Sequence, residues 1–179
     1  LGIAMPESCG GSGLGVTEAA VMMRAVAESG AGMSGASAVH HYVWGLKPVA
    51  SFGTPEQQSR MLPALVRGEQ MMCFAVTEPD AGLDTSRIAT KAVRRGDVYV
   101  ASGRKVWTTL AQQADKILLL ARTTPREQCA RPTDGMTLFF TDLDRSRVEV
   151  RAIDKMGRKC IDSNQLFIDE LEIPAADRI

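Results

Sequence analysis

The apolar residues of this 179-residue chain keep a helical period up to about residue 70 and a strand period after it. That switch restricts the fold more than any single motif does. Before it, Thr17 is placed to cap a helix running through Val21, Met23 and Ala27 to Ser29-Gly30. A second helix is expected from Ser34, carrying Ala38, Val39, Tyr42, Val43 and Leu46 towards Pro48. A third opens with Thr54-Pro55-Glu56-Gln57, which sets a cap, a first-turn proline and a capping-box Gln in order, and runs to Gly68. After it, residues 72–76 read as a buried strand. Residues 88–94 and 98–102 alternate and meet at Arg95-Gly96-Asp97, a hairpin turn. Residues 105–107, 116–121, 136–141, 148–153 and 165–168 complete the set of short strands. Helices gathered ahead of strands argue α+β. The expected layout is a helical segment over residues 1–70, then a small antiparallel β-barrel or sandwich over residues 71–179.

Lys plus Arg equals Asp plus Glu at 21 each, so no global field points to nucleic acid or an anionic membrane as partner. No apolar run approaches the roughly 18 residues of a membrane span, and no signal segment opens the chain. Cys9, Cys73, Cys129 and Cys160 are scattered, and with only His40 and His41 to add they make no metal-ligand spacing. They read as reduced thiols of an unsecreted protein, in a cytoplasm or a mitochondrial matrix.

Two motifs dissolve on inspection. Gly11-x-Gly13 lacks the third glycine of a dinucleotide fingerprint, with Val16 in its place, and no strand precedes it. A turn into the first helix accounts for it better. Arg95-Gly96-Asp97 spells an adhesion tripeptide but stands where the hairpin needs its glycine.

The segment Val76-Thr77-Glu78-Pro79-Asp80-Ala81-Gly82-Leu83-Asp84 is more informative. A buried strand ends in a hydroxyl, Pro79 stops its continuation, and Gly82 permits a close backbone approach; such loops cradle electron-rich rings and phosphates. Some thirty residues later, Lys105-Val106-Trp107-Thr108-Thr109 sets a flat indole beside hydroxyls that can donate to a ring nitrogen. Alone, each is an ordinary strand end. Together they suggest a site.

The run Phe74-Ala75-Val76-Thr77-Glu78-Pro79-x-Ala81-Gly82-x-Asp84 resembles the acyl-CoA dehydrogenase signature, and Trp107-Thr108-Thr109 falls at that family's second flavin-contact motif. The similarity extends over essentially the whole chain. It includes Pro6-Glu7-x-x-Gly10-Gly11-x-Gly13, Phe52-Gly53-Thr54-x-Glu56-Gln57, and the stretch from Met156-Gly157-Arg158 to Pro174.

The resemblance implies FAD as cofactor. Phe74, Ala75, Val76 and Thr77 would lie along the isoalloxazine, with Thr77 at its pyrimidine edge. Trp107 and Thr108 would pack at the ring, the Thr109 hydroxyl would bond near N5, and Gly82 would let the loop come close. Leu83 stands where the family has a serine touching flavin phosphate or acyl-CoA, so any contact there is left to backbone. Asp80 stands where glycine is common. Ala36 and His40 would lie near the acyl tail.

The implied reaction is α,β-dehydrogenation of an acyl-CoA thioester, with electrons passing to an electron-transfer flavoprotein. The implied assembly is a homo-oligomer, a dimer of dimers. The family's catalytic carboxylate lies in a C-terminal helical bundle that the resemblance places beyond Ile179. No acid here is therefore assigned as base, and the isolated chain is expected to bind cofactor poorly and turn over little. A flavin-dependent monooxygenase or oxidase on the same architecture, and a non-catalytic remnant, are the alternatives.

Overall fold

The computed structural model describes all 179 residues, Leu1–Ile179. They divide into two compact units, Leu1–Met71 with Met156–Ile161, and Met72–Lys155 with Asp162–Ile179.

The first unit is helical: α1 Val16–Val26, α2 Gly32–Gly45, α3 Lys47–Phe52, α4 Pro55–Met61 and α5 Pro63–Val66. The glycine-rich opening is a set of stacked turns, with Gly11 N–H donating to the Pro6 carbonyl and Gly13 N–H to that of Met5, 3.0 and 2.9 Å. A side chain at Gly11 would strike the Met5 carbonyl oxygen at 2.2 Å, so the glycine is needed for close approach. The start of α1 differs from the expected Thr17 cap. Gly15 N–H donates to the Glu18 carboxylate at 2.9 Å, and that reach from the third helical residue fixes the cap two residues earlier, at Gly15.

Between α1 and α2 the chain makes a single π turn, Ala27–Ala31, released by Gly30 at φ 97°. Pro48 does not end the second helix; it lies in the first turn of α3, a short helix the sequence reading missed. The Thr54 box forms as expected: Thr54 N–H to Gln57 Oε1 at 2.8 Å, and Gln57 N–H to Thr54 Oγ1 at 3.2 Å. The expected single helix to Gly68 is two, because Pro63 has no N–H for the ladder and restarts the helix as α5. Met5, Leu46, Val49, Leu62 and Leu65 are fully buried in this unit. The excursion Met156–Ile161 joins it through Arg158, whose guanidinium donates to Ser37 Oγ on α2 at 2.7 Å. No helix is long and apolar enough to cross a membrane.

The second unit is a seven-stranded curled sheet: β1 Met72–Ala75, β2 Lys91–Arg95, β3 Val98–Thr109, β4 Lys116–Arg122, β5 Met136–Asp142, β6 Val148–Ala152 and β7 Ser163–Pro174. Its order is β1-β4-β2-β3-β7-β6, with β5 also on β4. The α+β class stands, but the sheet is mixed where an antiparallel one was expected. β1 runs parallel to β4 (Ala75 opposite Leu119), and β2 meets β4 in parallel at Lys91–Arg122. The β2–β3 hairpin intervenes between β1 and β4 and returns the chain in the same sense, a placement strand patterns do not encode.

β3 and β7, 12 residues each, run on past the expected short strands, because bulges let them bend without ending. One core cluster runs through the unit, with Cys73, Ala75, Ile117, Leu119, Phe139, Leu166 and Ile173 completely buried. The Tyr99 ring packs on Phe139 at 5.0 Å between centroids.

Candidate functional site

Past Ala75 the chain leaves β1 and turns tightly: Glu78 N–H donates to the Ala81 carbonyl at 3.0 Å, and Ala81 N–H returns to the Glu78 carbonyl at 3.2 Å. Pro79 forces this exit, and the Asp84 carboxylate caps the next turn through Ser86 N–H at 3.1 Å. Hydrogen bonding to Ser86 holds the Asp84 carboxyl below its usual range. Gly82 is exposed with open space around its α-carbon, and the Leu83 side chain stands wholly in solvent.

The second motif closes on the first. Val106 N–H donates to the Thr77 carbonyl at 2.9 Å, so Thr77 lies one residue from Trp107 across the junction. Beside that bond is a buried ion pair. Lys105 Nζ donates to Glu78 Oε1 at 2.8 Å and to the Val76 carbonyl at 2.9 Å. The Glu78 carboxylate also accepts from Ala89 N–H at 2.7 Å and Thr90 N–H at 3.0 Å. Burial alone would raise the Glu78 carboxyl, but these donors, first among them Ala89 N–H, hold it below its usual value. Burial pulls the Lys105 ammonium down, and Glu78 offsets part of that.

Trp107 then departs from strand geometry. It has φ 62°, a left-handed conformation rare for a bulky residue, at a bulge that gives β3 one extra residue between Lys105 and Thr108. The conformation turns the indole outward, 60 % exposed. A large aromatic held strained and unburied is an outlier that points to a ligand surface. The Thr108 hydroxyl is buried without a hydrogen-bond partner, while its carbonyl accepts from the Asn164 side chain at 2.9 Å. Thr109, half-buried, follows on the same strand, opposite Ser163.

Phe74, Ala75, Val76, Thr77, Trp107, Thr108 and Thr109 are thus gathered at one junction of β1 and β3. A flat indole next to two threonines whose backbones are pinned is a surface that can seat a planar heteroaromatic ring. Ala36 and His40 belong to the helical unit, one turn apart on α2. His40 packs against Trp44 with the rings tilted, 5.6 Å between centroids, and lines an apolar hollow of about 540 Å³ with Met23, Val43, Trp44 and Phe52. Ala36 is half-buried and does not line it.

Sequence reasoning missed Lys105 as a functional neighbour, and Asn164 with it. The available signal was a lysine at an inward position of an alternating strand. The Glu78 carboxylate braces the loop through three hydrogen bonds, from Ala89 N–H, Thr90 N–H and Lys105 Nζ.

The chain matches the acyl-CoA dehydrogenase N-terminal domain over residues 1–69 and the acyl-CoA dehydrogenase middle domain over residues 73–171. It is 30 % identical to the mitochondrial isovaleryl-CoA dehydrogenase of Pongo abelii, over 99 % of this chain and 41 % of that one. It is likewise 30 % identical to the 3-(aryl)acrylate reductase of Clostridium sporogenes, over 98 % of this chain and 46 % of the relative. The crystal structure of an acyl-CoA dehydrogenase from Geobacillus kaustophilus superposes with a TM-score of 0.89 at 30 % identity, covering all of this chain and 46 % of that one. The chain therefore spans less than half the length of these relatives. Both matched domain models and the superposed fold are those of acyl-CoA dehydrogenases. The chain belongs to the acyl-CoA dehydrogenase family.

Proposed function

We propose that this chain carries the flavin face of an acyl-CoA dehydrogenase-type site, residues 1–70 being its N-terminal helical domain and residues 71–179 its middle β domain. One observation carries the reading: the Val106–Thr77 hydrogen bond sets Thr77 beside an exposed Trp107 at φ 62°. The residues fit FAD. The Trp107 indole offers its ring a rigid apolar wall, and the Thr77 and Thr109 hydroxyls offer donors to its polar edge. Phe74, Ala75 and Val76 present backbone along the ring, with Thr108 fixing the turn and Gly82 leaving the loop open to a close phosphate. FAD supplies a hydride acceptor, and the substrate is an acyl-CoA thioester oxidised at its α,β bond.

Neither Glu78 nor Asp84 serves as the α-proton acceptor, since the Glu78 carboxylate already accepts from Lys105, Ala89 and Thr90 and Asp84 is committed to Ser86. The protein residues shown here orient and exclude water; the proton is taken elsewhere. Leu83 bears no hydroxyl, so the loop meets the thioester ligand through backbone and an apolar side chain. Ala36 and His40 face the acyl tail. An electron-transfer flavoprotein receives the electrons, in a reducing compartment, and the working enzyme is a homo-oligomer.

The test is a visible spectrum of the purified chain titrated with FAD. A perturbed flavin spectrum that weakens in Trp107→Ala and Thr109→Ala is expected. A well-folded chain that leaves the FAD spectrum unchanged would remove the reading for this chain.

A further inference from the structure

A lysine with no exposed side-chain surface is rare, and nothing in the proposed chemistry uses Lys105. Stability does not account for it either, because a buried pair can often be replaced by apolar side chains at no loss. Its position suggests another purpose. Lys105 stands two residues before Trp107 on β3, and its ammonium reaches back to the exit of β1.

Two consecutive peptide planes meet at Thr77, and β3 holds both. The carbonyl of the Val76–Thr77 peptide accepts from Lys105 Nζ, and that of the Thr77–Glu78 peptide accepts from Val106 N–H. A trans peptide is planar, so fixing the first carbonyl aims the Thr77 N–H the opposite way, out from the ammonium. Fixing the second leaves the Thr77 α-carbon, and with it the direction of its Cα–Cβ bond, one orientation. Glu78 keeps the ammonium in place, itself tied to the loop by Ala89 and Thr90. The same bonds hold β3 just ahead of Trp107, whose left-handed backbone is strained and persists only if its surroundings determine it.

We propose that Lys105 and Glu78 are positioning residues for the ring-binding face: their buried pair fixes the Thr77 peptides against the strained Trp107 turn, so that both meet one planar ligand in register. The proposal rests on the reading of that face as a flavin site. Neither residue touches the ring; both act through Val76, Thr77 and Val106.

The test compares the unaltered chain with Lys105→Met, Glu78→Gln and the double variant. Three quantities are read: thermal midpoint, FAD affinity with the band shape of bound flavin, and backbone amide exchange. Lys105→Met leaves a buried carboxylate unpaired and is expected to melt early. The double variant removes that charge and is expected to recover most of the midpoint. In the double variant flavin should still bind at least tenfold more weakly, with a smoother absorption band. Its Val106 amide should exchange at least tenfold faster, while those of Leu119 and Leu171 follow global stability alone.

Persistence of the flavin and amide changes after the midpoint recovers supports positioning, which a purely structural role would not produce. Flavin affinity and band shape unchanged in the double variant, or a Val106 amide as protected as before, overturns it. Should the unaltered chain take up no FAD, the site reading falls and this proposal with it. Uptake that ignores the substitutions sinks the proposal alone.

Discussion

At the scale of single residues, the strongest outlier besides Lys105 is His41, buried on α2 with its Nε2 lacking a partner and its ring edge-on to Trp44 at 5.1 Å. Burial first, and the neighbouring His40 second, lower its pKa from 6.5 to about 4. The folded state therefore refuses a proton that the unfolded chain accepts below about 6.5. Stability from this group is complete above that pH and is lost as pH falls towards 4, by about 3 kcal/mol in all. Urea melts of the unaltered chain and His41→Phe, at pH 7 and pH 4.5, should show a smaller pH penalty in the variant; equal penalties would clear His41 of the role. None of this was legible in the sequence, where His40 and His41 are adjacent and indistinguishable. Helix phase decides which of the two is buried. Trp107 was legible as a flat aromatic at a strand end, and the structure leaves it exposed. Its left-handed backbone was not, since the bulge depends on how β7 pairs with β3.

Elements show a similar division. The capping box at Thr54 was readable because its physics is local, confined to four consecutive residues. Thr54→Ala should cost about 1 kcal/mol, measured as a lowered denaturant midpoint with an unchanged slope. Arg122 is the opposite case. It is buried at the end of β4 with no carboxylate, and its guanidinium donates to the carbonyls of Ser86, Ile88, Pro132 and Asp134. Those four acceptors come from two loops separated in sequence, so only the fold discloses the contact. Lysine offers a point charge in place of a planar fork and cannot reach all four. Arg122→Lys should therefore destabilise the chain by about 2–3 kcal/mol and accelerate amide exchange in both loops first. Uniform exchange across the β unit would argue against that local role. The parallel β1–β4 pair was likewise out of reach, because strand alternation reports burial but not direction.

For the molecule as a whole, the order of helices and strands was enough to set the α+β class, and the spaced motifs were enough to reach the family. The geometry adds a reason the Thr77 and Trp107 motifs are thirty residues apart. The β2–β3 hairpin must be traversed before the chain can return to Thr77. A ligand that needs both motifs binds only the folded β unit, so its binding must appear as stability. At free FAD one hundred times its dissociation constant, linkage gives about 2.7 kcal/mol. For a chain of this size that corresponds to a rise of about 5–10 °C in thermal midpoint. The rise should disappear in Trp107→Ala, whose exposed indole can be removed with little loss of core, and survive in Thr54→Ala, whose cap lies in the helical unit. Differential scanning calorimetry with and without FAD measures all three. A flavin-dependent rise retained by Trp107→Ala would mean that FAD binds the fold at some surface other than the one built by Thr77 and Trp107.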